Sequence, residues 1–349
     1  MIHNLSLELV EGIPSWNLLL LLLFLLGAVK ANPLEYVLIS PKESTQPFQI
    51  KTTQLKINNQ NAFLAIVKGA LGKDSNEDTE PQKHFRILVH DSKCSLRKTS
   101  TFSRQFNCIY AVNGGPFHSY VRGGCVGLTV SNGTIIEDRD LLQAKVHHRT
   151  STGSIPRSVH VYDDNNPIGE FQVPLFDANI AFGATKDNKW IIGNVQKYNQ
   201  SNIEELVTGL NGWLVYNSTV VPEPEIEYEL EQGQNQAQSS HRKRISDLAA
   251  PRTAIGVNKS GKNLVILQVD GCEHCTAPFN TKAKGLTMHE MANAMQKYAD
   301  YAINLDGGGS STSVNHGNIW NRPTCLDYVD VRCERPVASV VCIDGHEDN

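Results

Sequence analysis

The sequence predicts an α+β fold: a β-rich mixed sheet with few helices, held in one domain and braced by disulfides. Three observations point there. Short apolar runs of strand length recur along most of the chain, bounded by Gly, Asn, Asp or Pro. Only residues 287–300 carry a clear helical apolar period, so there is no sustained strand–helix–strand alternation. An even number of cysteines, eight, follows an apolar leader.

Bulk composition narrows the function classes. The 349 residues are 40% hydrophobic with a net charge of −4, which supplies a substantial core and no charge excess suited to nucleic acid. Residues 18–26 are nine consecutive apolar residues, with Gly27, Ala28 and Ala31 behind them. A spanning helix needs roughly 20. The run therefore fits a signal-peptide core in a leader of residues 1–31, cleaved after Ala31, with no membrane span in the mature chain. In an oxidising compartment Cys94, Cys108, Cys125, Cys272, Cys275, Cys325, Cys333 and Cys342 are expected to form disulfides. Sequons at Asn132, Asn199, Asn217 and Asn258 are expected glycosylation sites.

In chain order, residues 32–84 read as an N-terminal segment, either a pro-region or an extension of the sheet. Residues 84–90 alternate and form a strand. Residues 108–112 are an apolar strand that runs into Asn113, Gly114, Gly115 and Pro116. Residues 126–130 and 134–136 flank an Asn-Gly pair and predict a hairpin. Residues 180–184 and 190–192 predict another. Residues 203–206 read as one short helical turn, and residues 213–216 as a strand. Residues 222–249 are rich in Glu, Gln and Ser, then basic, and suit a mobile surface insertion. Two strands follow, 252–257 and 264–269, the second ending at Asp270. Cys272 and Cys275 suit a small disulfide-pinned loop, because no second ligand pair follows at zinc spacing. Residues 287–300 form the helix, with Thr287 and Glu290 at capping-box spacing.

The most informative stretch is residues 301–312, a strand running into three glycines and out along a second strand. Ile303 and Leu305 point to one face, so Asn304 and Asp306 share the other. Gly307, Gly308 and Gly309 leave backbone N–H groups open to an anion, with Ser310 beside them. Residues 113–115 repeat the design. The pattern suits a polar, phosphorylated substrate; taken alone, the spacing equally fits a tight hairpin with a solvated Asp.

The set Asn113-Gly114-Gly115, Arg252-Thr253-Ala254-Ile255-Gly256, Asp270-Gly271, Gly285-Leu286-Thr287-Met288-His289-Glu290 and Asn304-Leu305-Asp306-Gly307-Gly308-Gly309-Ser310 resembles the phosphodiester glycosidase family. The likeness runs from about residue 85 to 343 and includes the tail Cys333-Glu334-Arg335-Pro336-Val337-Ala338-Ser339-Val340-Val341-Cys342. It implies one catalytic domain over residues 85–345. The implied activity is hydrolysis of N-acetylglucosamine α-1-phosphodiesters, uncapping mannose 6-phosphate on lysosomal enzymes. The implied partners are phosphorylated high-mannose glycans of lysosomal hydrolases, and the implied address is the Golgi lumen or the secreted pool. A phosphate monoester leaves as a stable anion, so one positioned carboxylate and a set of phosphate donors suffice. Asp306 is the expected catalytic carboxylate, with Asp270 second and Glu290 third. Asn113, Gly114, Gly115, Arg252, Asn304, Gly307, Gly308, Gly309 and Ser310 are the expected substrate- and phosphate-binding residues. No metal and no other cofactor is expected. Two other readings share these motifs: a secreted hydrolase of another glycan phosphodiester, and a non-catalytic glycan-binding homologue.

Overall fold

The structure is a computed structural model that describes residues 36–41, 48–72, 83–119, 121, 123–136, 159–163, 166–171, 180–195, 198–210, 212–221, 248–272, 284–326 and 331–345. The leader of residues 1–31, most of the 222–249 insertion and Cys275 lie outside them.

Tight turns dictate much of the architecture. Asn58-Asn59, Asn132-Gly133, Asn217-Ser218 and His316-Gly317 each place two consecutive residues at positive φ. Each joins strands that pair directly across a two-residue loop, as in Ile57↔Gln60 and Tyr216↔Thr219. Left-handed backbone at both central positions matches the twist of antiparallel strands, and Asn and Gly tolerate it best. Strands joined so tightly pair antiparallel. The mixed sheet of the sequence reading accordingly resolves into several sheets, and the three largest are antiparallel throughout.

The seven-stranded sheet runs, edge to edge, Thr219–Val220, Trp213–Tyr216, Tyr301–Asn304, Arg252–Val257, Asn263–Val269, Gln60–Lys68 and Gln49–Ile57. Much of the N-terminal segment thus forms one edge of this sheet. The five-stranded sheet runs Asn318–Ile319, Ser313–Asn315, Cys108–Asn113, Ser339–Asp344 and Phe85–Val89. The six-stranded sheet contains Ile180–Thr185, Trp190–Asn194 and Ile203–Thr208. All three feed one core: Ile255 and Ile266, Tyr110 and Val341, and Phe182 and Trp190 belong to the same buried cluster. The two strands on either side of the glycine triplet belong to different sheets, so that turn crosses between sheets and is not a hairpin.

Two local readings are corrected, and one helix was not foreseen. Residues 203–206 form a strand, because Ile203 and Leu206 bury in the core while Glu205 is drawn inward by the Ile87 N–H on a neighbouring sheet. The helix Met288–Met295 stops five residues short of Asp300; its last turn tightens through Tyr298 N–H to the Met295 carbonyl. A second helix, Thr99–Gln105, forms where Ser and Thr predict none. Tertiary contacts override the propensity: Phe102 is fully buried, and Glu334 accepts from the Ser100 N–H at 2.7 Å and its hydroxyl at 2.6 Å.

Three disulfides are described: Cys94–Cys125, Cys108–Cys342 and Cys325–Cys333. Cys272 is also disulfide-bonded. Among the described residues no helix is long and apolar enough to cross a membrane.

Candidate functional site

Strand register brings the predicted residues to one place. Arg252 pairs with Val269 and Ala254 with Asn304, so Arg252, Asp270 and Asn304 lie at one end of the seven-stranded sheet. In the five-stranded sheet Asn113 pairs with Val340 and Val112 with Ser313. The two ends are then joined. Leu305 N–H extends the ladder to the Thr253 carbonyl (2.8 Å), and Asp306 N–H reaches the Gly114 carbonyl (3.1 Å). The third sheet arrives through Thr208–Leu210, where Leu210 N–H bonds the Asn304 carbonyl at 2.8 Å. A Cβ on Gly115 would sit 2.3 Å from the Thr208 carbonyl oxygen, so only glycine permits that approach.

Asn113 is the latch of this junction. Its Nδ2 donates to the Asp306 carbonyl (2.8 Å), while its Oδ1 accepts from the Thr253 hydroxyl (2.9 Å) and the Thr312 N–H (3.1 Å). It is fully buried. Its side chain thereby aligns the two glycine turns. Asp306 is gripped on both sides of its own peptide units and remains half-buried, with Oδ1 accepting from Gly307 N–H at 3.0 Å. Its carboxylate thus stands at the meeting point of three sheets on a backbone with little freedom to shift.

Several amides of the expected cradle are bonded within the protein. Gly114 N–H bonds the Ser339 carbonyl and Gly115 N–H the Ser339 hydroxyl. Gly308 N–H goes to the Pro251 carbonyl, Ser310 N–H to Gly307 and Ser311 N–H to Gly308. The Gly114, Gly115 and Gly308 amides thus bond distant parts of the chain, and the Ser310 and Ser311 amides close a local turn. Most of the glycines permit close approach of protein to protein.

Asn304 is also buried; its Nδ2 donates to Leu305 (2.6 Å) and Leu210 (3.3 Å) carbonyls, and its Oδ1 has no partner among the described residues. Arg252 is 2% exposed and sends Nε to the Leu286 carbonyl (3.1 Å) and Nη2 to the Leu248 carbonyl (2.7 Å). Asp270 is 8% exposed. Its Oδ1 accepts from Arg322 N–H (3.0 Å) and Asn321 Nδ2 (3.1 Å), and its Oδ2 finds no partner among the described residues. Burial raises this carboxyl above the usual Asp range, and those hydrogen bonds only partly offset it. Asn321 Nδ2 also reaches the Ser311 carbonyl (3.1 Å), tying Asp270 to the far end of the turn that carries Asp306. Glu290 is engaged elsewhere: it closes the capping box with Thr287 N–H at 2.8 Å and accepts from Asn58 Nδ2 at 2.7 Å.

Sequence reasoning missed Thr253, Ser339 and Arg335. All three lay inside the quoted motifs without a signal of their own. Arg335, in the Cys333–Pro336 tail, sets its guanidinium against Gly309 and Ser310.

The phosphodiester glycosidase family model matches residues 106–344. N-acetylglucosamine-1-phosphodiester alpha-N-acetylglucosaminidase of Bos taurus is 27% identical over 276 residues, which cover 76% of this chain and 43% of that protein. The Homo sapiens protein of the same name is 26% identical over 276 residues, 76% of this chain and 44% of its own. The chain thus spans less than half the length of these relatives. The zebrafish catalytic domain, solved auto-inhibited by its pro-peptide, superposes with a TM-score of 0.54 at 19% identity, covering 89% of this chain and 88% of that one, a likeness of fold. With a family model matching well over half its length, this chain belongs to the phosphodiester glycosidase family.

Proposed function

We propose that the chain hydrolyses N-acetylglucosamine α-1-phosphodiesters, freeing the sugar and leaving mannose 6-phosphate on glycans of lysosomal enzymes. One observation carries the reading. Asp306 stands at the junction of three sheet ends, its peptide units held by Asn113 and Gly114. Family membership and the names of the relatives support the same chemistry.

The reaction breaks the bond from sugar C1 to the phosphate oxygen. The departing phosphate monoester has a second pKa near 6, so it leaves as an anion with little need of an acid. Positive charge builds at C1, where a carboxylate placed beneath the sugar stabilises it. Asp306 fills that role, as nucleophile or as base toward the incoming water. In either case water supplies the hydroxyl that ends on C1, and its proton leaves through a carboxylate or the phosphate. Asp270 is the second carboxylate; burial shifts its carboxyl above the usual Asp range, and its bonds to Arg322 and Asn321 fix it beside the turn. Passage through the secretory pathway, with Golgi or extracellular residence, fits the disulfides and the exposed sequon residues Asn132, Asn199 and Asn217.

The direct test offers the secreted protein N-acetylglucosamine α-1-phospho-6-mannoside and follows both products. Free N-acetylglucosamine with intact mannose 6-phosphate supports the reading. Folded protein that releases neither sugar refutes it.

A further inference from the structure

Asn113 grips one edge of the segment that leaves the glycine triplet, and a second buried asparagine holds the other. The hairpin turning at His316-Gly317 pairs Val314 with Ile319, and Trp320 N–H bonds the Ser313 carbonyl at 2.9 Å. The returning chain therefore lays Asn321 beside residues 311–313. Peptide groups of an extended segment face alternate edges. Those of Thr312 face Asn113, whereas the Ser311 carbonyl and the Ser313 N–H face Asn321. Asn321 Oδ1 accepts from Ser313 N–H at 2.9 Å, and Nδ2 donates to the Ser311 carbonyl (3.1 Å) and to Asp270 Oδ1 (3.1 Å). A carboxamide carries two N–H donors and one carbonyl oxygen, so each of these groups has its partner here. Arg322 N–H reaches the same Asp270 oxygen at 3.0 Å, with Gln268 Nε2 at 3.5 Å. Asp270 stands at the end of the seven-stranded sheet, its N–H on the Asn61 carbonyl (2.9 Å), while residues 311–313 lead into the five-stranded sheet. One amide nitrogen thus links the second carboxylate to the strand that follows Asp306. Asn321 is 3% exposed, so it acts on Asp270 and the turn rather than on a bound sugar.

We propose that Asn321 is a positioning residue of the hydrolytic site: it holds the Asp270 carboxylate in register with the turn that carries Asp306. The inference rests on the activity proposed above. Held by Asn113 at one edge and Asn321 at the other, residues 311–313 fix the exit of the glycine turn, and Asp270 is tied to the same frame. Displacing a reacting group by about 1 Å can cost about a hundredfold in rate. The same bond bears on proton affinity. Burial raises the Asp270 carboxyl, and the donors on Arg322 and Asn321 oppose that rise. Without the Asn321 donor the carboxyl rises further. A carboxylate in its place also repels Asp270, so the two then share one proton and titrate as a pair.

The test follows turnover of N-acetylglucosamine α-1-phospho-6-mannoside by full-chain Asn321→Ala and Asn321→Asp. Beside it, carboxyl-carbon NMR tracks the titration of Asp270, whose signal is assigned by its loss in Asp270→Asn. Asn321→Asp keeps the shape and the oxygen that accepts from Ser313 N–H. Circular dichroism establishes that each variant is folded. Each is expected to lose at least about tenfold in kcat with KM within about threefold, because a buried residue moves the reacting groups and not the sugar contacts. The Asp270 midpoint is expected to rise in both, and further in Asn321→Asp. A purely structural asparagine would cost stability and move neither reading. A folded Asn321→Asp that keeps kcat within about twofold, or whose Asp270 midpoint equals the parent's, overturns the proposal. A parent protein that cleaves no diester refutes the proposed activity; an Asp270 midpoint that still rises in both variants then leaves Asn321 as the residue that sets this carboxylate.

Discussion

Replacing Asn113 by Ala removes the latch between the two glycine turns. Three buried partners then lose their bonds: the Asp306 carbonyl, the Thr253 hydroxyl and the Thr312 N–H. Leaving a buried polar group unmatched costs about 1–3 kcal/mol. The Thr253 hydroxyl can rotate to another acceptor, which trims the sum, so the expected loss is about 4 kcal/mol. That is a large fraction of the roughly 5–15 kcal/mol that stabilises a typical domain. Urea unfolding followed by fluorescence of the buried Trp190 and Trp213 measures it. Asn113→Asp separates hydrogen bonding from packing. It keeps the shape and both accepted bonds but sets a carboxylate oxygen against the Asp306 carbonyl. Hydrogen bonding therefore predicts that Asp is nearly as harmful as Ala, whereas packing predicts a mild effect. Turnover should fall further than the folded fraction, because displacing the Asp306 backbone by about 1 Å can cost about a hundredfold in rate. An Asn113→Ala protein within about 1 kcal/mol of the parent, with normal turnover per folded molecule, would refute the latch.

Asp306→Asn retains an oxygen for Gly307 N–H, so it should fold normally while losing turnover by about a thousandfold or more; residual rates near the parent's would remove Asp306 from the mechanism. Glu205 is buried between Ile87 N–H (2.8 Å) and Asn132 N–H (3.1 Å), and burial pushes its pKa up to about 8. A carboxyl raised in the folded state adds stability below the unfolded value, here 4.5, and that stability is lost as pH rises toward 8. Denaturation midpoints should fall between pH 5 and 8, and Glu205→Gln should flatten that slope while lowering stability at pH 5 through a lost bond; an unchanged slope would show that Glu205 is not the titrating group. The Cys108–Cys342 disulfide joins residues 234 apart and Cys325–Cys333 only 8 apart. Loop entropy values the first at about 5 kcal/mol and the second at about 2 kcal/mol, so paired alanine variants should differ by about 3 kcal/mol in urea unfolding. Equal losses would put native-state packing, not chain entropy, in control.

Residue types and their period were enough to predict the β-rich class, most strand positions, the helix N-terminus and the cysteine bracing. These are local properties: alternation, turn chemistry at Asn132-Gly133 and the Thr287–Glu290 cap each act within a few residues. The glycine turns were legible as special for the same reason, since runs of glycine interrupt strands only where backbone must come close. What those turns approach was not legible. The acceptors of the Gly114, Gly115 and Gly308 amides come from Ser339 and Pro251, far along the chain, and only strand register brings them in. The sequence could suggest an amide cradle because it could not show those amides already occupied. Tertiary structure likewise decided that residues 203–206 are a strand and residues 99–105 a helix, against local preference. Burial of Ile203 and Phe102, and bonds from Glu205 and Glu334 to distant segments, outweigh the few tenths of a kcal/mol by which propensities differ. Arg335 is the plainest case. Nothing around it in the sequence marks a contact with the glycine turn, and its place against Gly309 exists only once the Cys325–Cys333 loop has folded beside the turn.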